Sequence, residues 1–381
     1  MSLGTFAAKP VLTRRILSRL VLGTGFSLTG AGTVMLGALL PVFSQRWALR
    51  DVAYGLLLFL QFAGSALGAV FTGSHRIRSL IVGYGLLVLA TCALAFSGSH
   101  APFAAFFFYG LGLGMAMTTT SLLVTDRSGD QKAAKLQALN FVWSAGATAG
   151  PMLFVPFLHK GGIRLLFLAL MALFLLLLAW VIFRERNEPS RAPELKSQSH
   201  VSRSAGFLFP YVILAICAVG VETALSGWLT TYSQRAGLGS MAGAAIATSI
   251  FWFGGMVSRL ALSTPLLAKI GRRATLRAAV WGVVVSVAVL IIAPYPTVIL
   301  AVGALAGVCV GPLYPLLLSF MLERSAGGWI FAVGGFGAAV LPWLTGLLSS
   351  DFNSLRFGLI VPCAASLIMA IVRPEALRQG N

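Results

Sequence analysis

The chain has 381 residues, of which 58% are hydrophobic and only 10% charged, with 28 Lys and Arg against 10 Asp and Glu. A water-soluble domain is about 25% charged, so this composition excludes a soluble globular protein and places the chain in a bilayer. The formal net charge of +18 does not mark a nucleic-acid binder, because the cations fall in short clusters between long apolar runs and leave no polar domain to hold a phosphate backbone.

A crossing helix needs about 20 mostly apolar residues, so the gaps between charges measure the spans. Arg14, Arg15 and Arg19 precede the first uncharged run, 20–45, which is too long for the apolar core of a cleaved signal peptide and reads as the first span. The runs 52–75, 79–125, 136–159 and 165–183 follow. Ser97, Gly98, Ser99, His100 and Pro102 near the middle of 79–125 divide it into two helices joined by a tight loop. The stretch from Arg184 to Arg203, with Glu185, Glu188, Pro189, Pro193 and Glu194, is the longest charged segment and reads as a polar linker. Beyond it lie 204–234, interrupted only by Glu222, then 236–258, 278–322 divided at Pro294, Tyr295 and Pro296, 325–350 and 357–372. These make twelve spans, the last with only 16 uncharged residues. The expected units are a six-helix bundle over 1–183, a cytoplasmic linker over 184–206 and a second six-helix bundle over 207–381.

Lys and Arg are retained on the cytoplasmic side of a membrane. With the amino terminus inside, 22 of the 28 basic residues fall on inner segments, Arg259 counted among them, so both termini are expected to be cytoplasmic. Short loops point to a bacterial inner (plasma) membrane. Cys92, Cys217, Cys309 and Cys363 stand in apolar runs with no CxxC or histidine neighbour, so no disulfide framework, metal site or cofactor is expected.

One offset recurs along the chain. Phe62 and Phe253, Gly64 and Gly255, Gly112 and Gly303, Gly146 and Gly337, and Pro151 and Pro342 are each 191 residues apart, in corresponding spans. Six crossings return the chain to its starting side, so the two copies lie parallel, related by an axis along the membrane normal.

Glu222 is the one acid deep in a span. A carboxylate there costs about 2.5–3.5 kcal/mol on insertion scales, which marks it as a proton-coupling or substrate-binding group, or else as a hydrogen-bond anchor between helices. Ser226 and Thr230 repeat its face every four residues, and Trp228 and Tyr232 continue the helix, so a polar and aromatic stripe is expected toward a central cavity. Aromatic faces stack on sugar rings while amides and hydroxyls bind the rim, and Gln61, Asn140, Trp143, Trp228, Tyr232 and Tyr314 form a candidate site for a neutral polyol. Tyr232 also lies near a span end, where Trp and Tyr serve as interface belts. Gly110, Gly112 and Gly114, Gly303, Gly307 and Gly311, and Gly146 with Gly150 permit close helix approach. Pro151, Pro312, Pro315 and Pro342 are read as bends at which helices rock. There is no GxSxG, Walker loop or HExxH, so nothing supports an enzyme.

Twelve spans in two parallel sixes, the run Gly146-Ala-Thr-Ala-Gly150-Pro151 in span five, and basic loops after spans two and eight (His75, Arg76, Arg78; Lys269, Gly271, Arg272, Arg273) resemble the major facilitator superfamily over essentially the whole chain. Gly220-Val-Glu222-Thr-Ala-Leu-Ser-Gly227-Trp228-Leu-Thr-Thr-Tyr232 and Gly311-Pro312-Leu-Tyr314-Pro315 are similar to its fucose-permease and glucose-transporter group. The resemblance implies an all-α membrane protein with the major facilitator fold, and helix-packing or gating roles for Gly146, Gly150, Pro151, Arg76 and Arg272. It departs from the pattern in two places: Gly73-Ser-His75-Arg76 lacks the usual gating Asp, and spans one and four lack the acids of fucose permeases. The expected function is secondary transport of a small neutral solute, a sugar, by a monomer that rocks between two openings, driven by protons through Glu222 or by Na⁺. The alternatives are an exporter of amphipathic drugs or lipids and a non-transporting receptor or scaffold.

Overall fold

The computed structural model describes residues 8–73, 75–98, 102–126, 132–187, 209–262, 269–293, 295–322 and 329–372. Among them eleven helices are long and apolar enough to cross a membrane: α1 (Leu20–Trp47), α2 (Asp51–Val70), α3 (Arg76–Phe96), α4 (Phe103–Val124), α5 (Ala138–Leu158), α6 (Gly162–Arg184), α7 (Phe209–Arg235), α8 (Met241–Leu262), α9 (Arg272–Ile292), α10 (Pro296–Leu318) and α11, whose apolar part is Val333–Asp351. The twelfth, α12 (Leu355–Ile371), is shorter, as the 16-residue run foretold. The loops fall where turn chemistry put them: α3 stops before Ser97, and α10 starts on Pro296, whose missing N–H costs nothing at a helix start. Between α5 and α6 the helix is interrupted only at Gly162, whose φ of 66° no side-chain-bearing residue adopts readily. The helix continues past Arg184 to Asn187, and the remainder of the expected linker lies outside the described residues.

In the first half α2 packs on α4, α1 on α5, and α3 on α4 and on the α5–α6 helix; in the second, α8 packs on α10, α7 on α11, and α9 on α10 and α12. Among the described residues three pairs make most of the contact between the halves: α2 with α11, α5 with α8, and α1 with α7. A two-fold axis that exchanges the halves carries the first pair onto the second and the third onto itself, which is the parallel duplication made visible.

Glycine backbones set these approaches, and they also fix the register of the repeat. A Cβ on Gly64 would strike the carbonyl of Phe107, and one on Gly254 that of Ala304; a Cβ on Gly110 would strike the carbonyl of Gln61, and one on Gly307 that of Phe251. In the first-span pair, Gly146 lies on the carbonyl of Ser27 and Gly337 on that of Ile216. Equivalent positions are therefore 189 apart in α1 and α7, 190 in α2 and α8, 197 in α4 and α10, and 191 in α5 and α11. The single offset of 191 holds for Gly146 and Gly337 and for Pro151 and Pro342 in the same helix pair. Phe62 and Phe253 and Gly64 and Gly255 are one residue out of register, and Gly112 and Gly303 six, because the connections between helices differ in length while the helix contacts do not.

Candidate functional site

Glu222 stands midway along α7 with its side chain 10% exposed, and Arg259 of α8 donates to its carboxylate at 2.6 Å. This corrects the reading of Arg259 as a loop cation: it lies within the span Met241–Leu262, its side chain 13% exposed. Each charge is the reason the other can stay, since an unpaired charge in this interior costs several kcal/mol.

The rest of the guanidinium is also engaged. Its Nε donates to the carbonyl of Gly311 at 3.1 Å, and a second terminal nitrogen donates to the Ser144 hydroxyl at 2.9 Å. The sequence explains the first bond. In a helix the carbonyl of residue 311 is taken by the N–H of residue 315, but residue 315 is proline and has none, so Gly311 offers a free acceptor to a neighbouring helix. Pro342 acts likewise on Ala338, whose carbonyl accepts from Thr223 at 3.3 Å. The prolines read as hinges thus also supply acceptors between helices. The second bond crosses the molecule: Ser144 belongs to α5, so Arg259 ties three helices of one half to a helix of the other.

Trp252 of α8 and Trp143 of α5 meet beside this pair, ring centroids 5.1 Å apart and planes at 77°, with the Arg259 guanidinium 5.9 Å from the Trp252 ring. The indole N–H groups of both are buried without a protein acceptor among the described residues. Asn140, half-buried, lies one turn before Ser144 on the same face of α5. Tyr314 packs against Gly334. Gln61, fully buried, donates from its amide nitrogen to the Thr33 carbonyl at 2.8 Å, leaving its side-chain oxygen without a protein partner among the described residues.

Two of the expected ligands sit elsewhere. Trp228 is fully buried and donates to the Pro342 carbonyl at 2.9 Å, and the Tyr232 hydroxyl donates to the Leu290 carbonyl, so both tie α7 to its neighbours rather than line an open stripe. Gly146 and Gly150 meet Ser27 and Ala31, placing them, with Pro151 in the same helix, in the α1–α5 contact. Arg76 donates to the Gly73 carbonyl at 2.8 Å, and Arg272 lies 4.2 Å from the Phe320 ring centre. Arg259, Ser144 and Trp252 were missed by sequence reasoning. The signal for Arg259 was present: Leu260-Ala261-Leu262 continues the apolar run beyond it, which a charge marking a span end would not show. Among the described residues no three His, Cys, Asp or Glu side chains gather into a metal site.

Comparison with known proteins agrees with this architecture. The chain is 23% identical over 373 residues to the cis,cis-muconate transport protein of Acinetobacter baylyi, covering 90% of this chain and 89% of that one. It is 26% identical over 402 residues to the gentisate transporter of Corynebacterium glutamicum, covering 96% and 89%. Among solved structures it superposes on the D-xylose-proton symporter with a TM-score of 0.70 at 16% identity, covering 93% of this chain and 97% of that one. On the transporter FucP in its outward conformation the TM-score is 0.62, also at 16% identity, with 95% and 98% covered. The family model of the Major Facilitator Superfamily matches residues 20–326, and the chain belongs to that superfamily of membrane transporters.

Proposed function

We propose that the chain is a secondary transporter of a small organic anion, whose carboxylate takes the place of Glu222 on the Arg259 guanidinium. The observation that carries this reading is the buried Arg259–Glu222 pair. A site built for a neutral sugar has no need of a buried guanidinium, whereas a planar fork of donors matches a carboxylate. With the site empty, Arg259 and Glu222 cancel. A proton on Glu222 removes its charge and frees the cation, and an entering monoanion restores neutrality, so one proton travels with one negative charge and the loaded site crosses a low-dielectric interior uncharged. Trp143 and Trp252, one from each half, supply an apolar wall for the solute's carbon frame and indole donors for a second oxygen.

Three further points support the reading or complete it. The muconate and gentisate relatives carry acids, while the sugar symporters are alike in fold alone. Trp228 and Tyr232, which pointed to a sugar, spend their polar groups on other helices. We place both termini in the cytoplasm of a bacterial inner membrane, on the excess of basic residues in the loops on that side, and treat the two bundles as 1–183 and 207–381.

The test is uptake into proteoliposomes of labelled gentisate, whose single carboxylate gives it the one negative charge the cycle balances, and of labelled fucose, with an inward proton gradient. Accumulation of an acid is expected. Glu222→Gln should retain exchange of labelled for unlabelled acid but lose gradient-driven accumulation, and Arg259→Gln should lose both. Fucose uptake without acid uptake would return the site to the neutral-polyol reading, and outward pumping of apolar dyes to that of an exporter.

A further inference from the structure

The second cluster of charges joining the halves lies far from Arg259, on the face where α1 ends and α2 begins. Asp51, in the first turn of α2, receives both terminal nitrogens of Arg235, in the last turn of α7, at 2.6 and 2.7 Å. The Ser349 hydroxyl of α11 donates to the same carboxylate at 2.6 Å. Beside it the Val52 N–H donates to the Ser350 hydroxyl at 2.7 Å. That N–H is one of the first-turn donors a helix cannot satisfy from within, and Arg50 at the cap position does not cap it, its side chain donating instead to the Ser350 carbonyl at 3.4 Å, so the opposite half caps α2.

The duplication shows that this cluster is not a by-product of the fold. With a register of 189 between α1 and α7, Arg235 is the counterpart of Arg46. Arg46 stays inside its own half, donating to the Ser97 carbonyl just beyond the end of α3 at 2.5 Å. In the second half that task has passed to Arg356, which donates to the Ile291 carbonyl near the end of α9 at 2.7 and 2.9 Å. Arg235 is thereby released to reach across. Its partner is equally one-sided, because the counterpart of Asp51 in α8, at a register of 190, is Met241. An inherited structural contact would recur in both halves, and this one has been built in one of them only.

We propose that Asp51, Arg235, Ser349 and Ser350 form a clasp that holds this face of the transporter shut, and that the face opens by rupture of the Asp51–Arg235 pair. Opening separates α2 from α7 and α11 and breaks both bonds from Arg235, 45% exposed, to Asp51, 11% exposed, together with the Ser349 bond, so the clasp biases the resting protein toward closure here and openness opposite.

The experiment measures a distance and needs no solute, so its outcome is separate from that of the organic-anion reading. Nitroxide labels go on Gly98→Cys and Gly239→Cys, two exposed positions of opposite halves on this face where a side chain meets nothing within 4 Å, in full-length protein lacking Cys92, Cys217, Cys309 and Cys363. In nanodiscs the parent should give one short distance population by double electron–electron resonance. Asp51→Asn, or Arg235→Gln should the first fail to fold, should add a longer population of at least a third of the molecules. The exchanged pair Asp51→Arg with Arg235→Asp should return most of it to the short distance. Unchanged distances in the folded single variants would overturn the clasp, as would a long population that the exchanged pair leaves in place.

Discussion

Arg259 is held by three acceptors on three helices, and losing its carboxylate would leave a bare cation in the interior. Removing one member of such a pair costs about 3–5 kcal/mol, while removing both costs much less. Arg259→Gln together with Glu222→Gln should therefore melt at a higher temperature in detergent than either single variant, measured by intrinsic fluorescence. Equal or additive losses would mean that the two charges do not depend on each other. Arg259→Lys keeps the charge but not the fork, and the apparent affinity for the transported acid should weaken at least tenfold, or about 1.4 kcal/mol. At this scale half of the pair was legible. Glu222 is conspicuous because an acid in an apolar run is costly and rare, whereas Arg259 lies where charges normally mark a boundary, 37 residues from its partner. Ser144 and Trp252 carry no sequence mark at all, since serine and tryptophan occur in spans for many reasons.

Prolines and glycines do most of their work between helices. Pro315 leaves the Gly311 carbonyl free for Arg259, and Pro315→Ala would give that carbonyl a partner within its own helix. The helix should gain and the site lose: a weakening of about 1 kcal/mol, roughly fivefold in apparent affinity, is expected in uptake assays with little change in melting. At Gly110 a side chain would meet the Gln61 carbonyl, main chain against main chain, and no rotamer can relieve it. Gly110→Leu should abolish folded protein by size-exclusion profile, whereas Gly239→Ala, facing open space, should behave as the parent. The spans and their turns could be counted from charge gaps and Pro, Gly and Ser clusters because both signals are local. Which carbonyl a proline frees could also be counted, but which side chain takes it depends on packing that spacing does not contain.

At the level of the molecule, the duplication was visible as glycines at a fixed offset, and its true register was not, because loops of unequal length shift each helix pair independently. Only the backbone contacts reveal that the counterparts are 189, 190, 191 or 197 apart according to the helix. Across the seam, Gly37 of α1 faces Gly227 of α7 so closely that a Cβ would stand 2.6 Å from the opposing Cα. Gly37→Val should leave each bundle folded yet wedge the halves apart, read as faster labelling by a small maleimide of a cysteine placed at Leu58, a buried side chain that packs on Gly227 across the seam. Labelling at the parental rate would show that α1 and α7 have slack there. Within a bundle the same directness of contact has a mechanical outcome: peptide resting on peptide contains no soft layer to absorb a push. We expect each six-helix unit to tilt as a stiff plank, and a load from the surrounding lipid to reach the seam undamped.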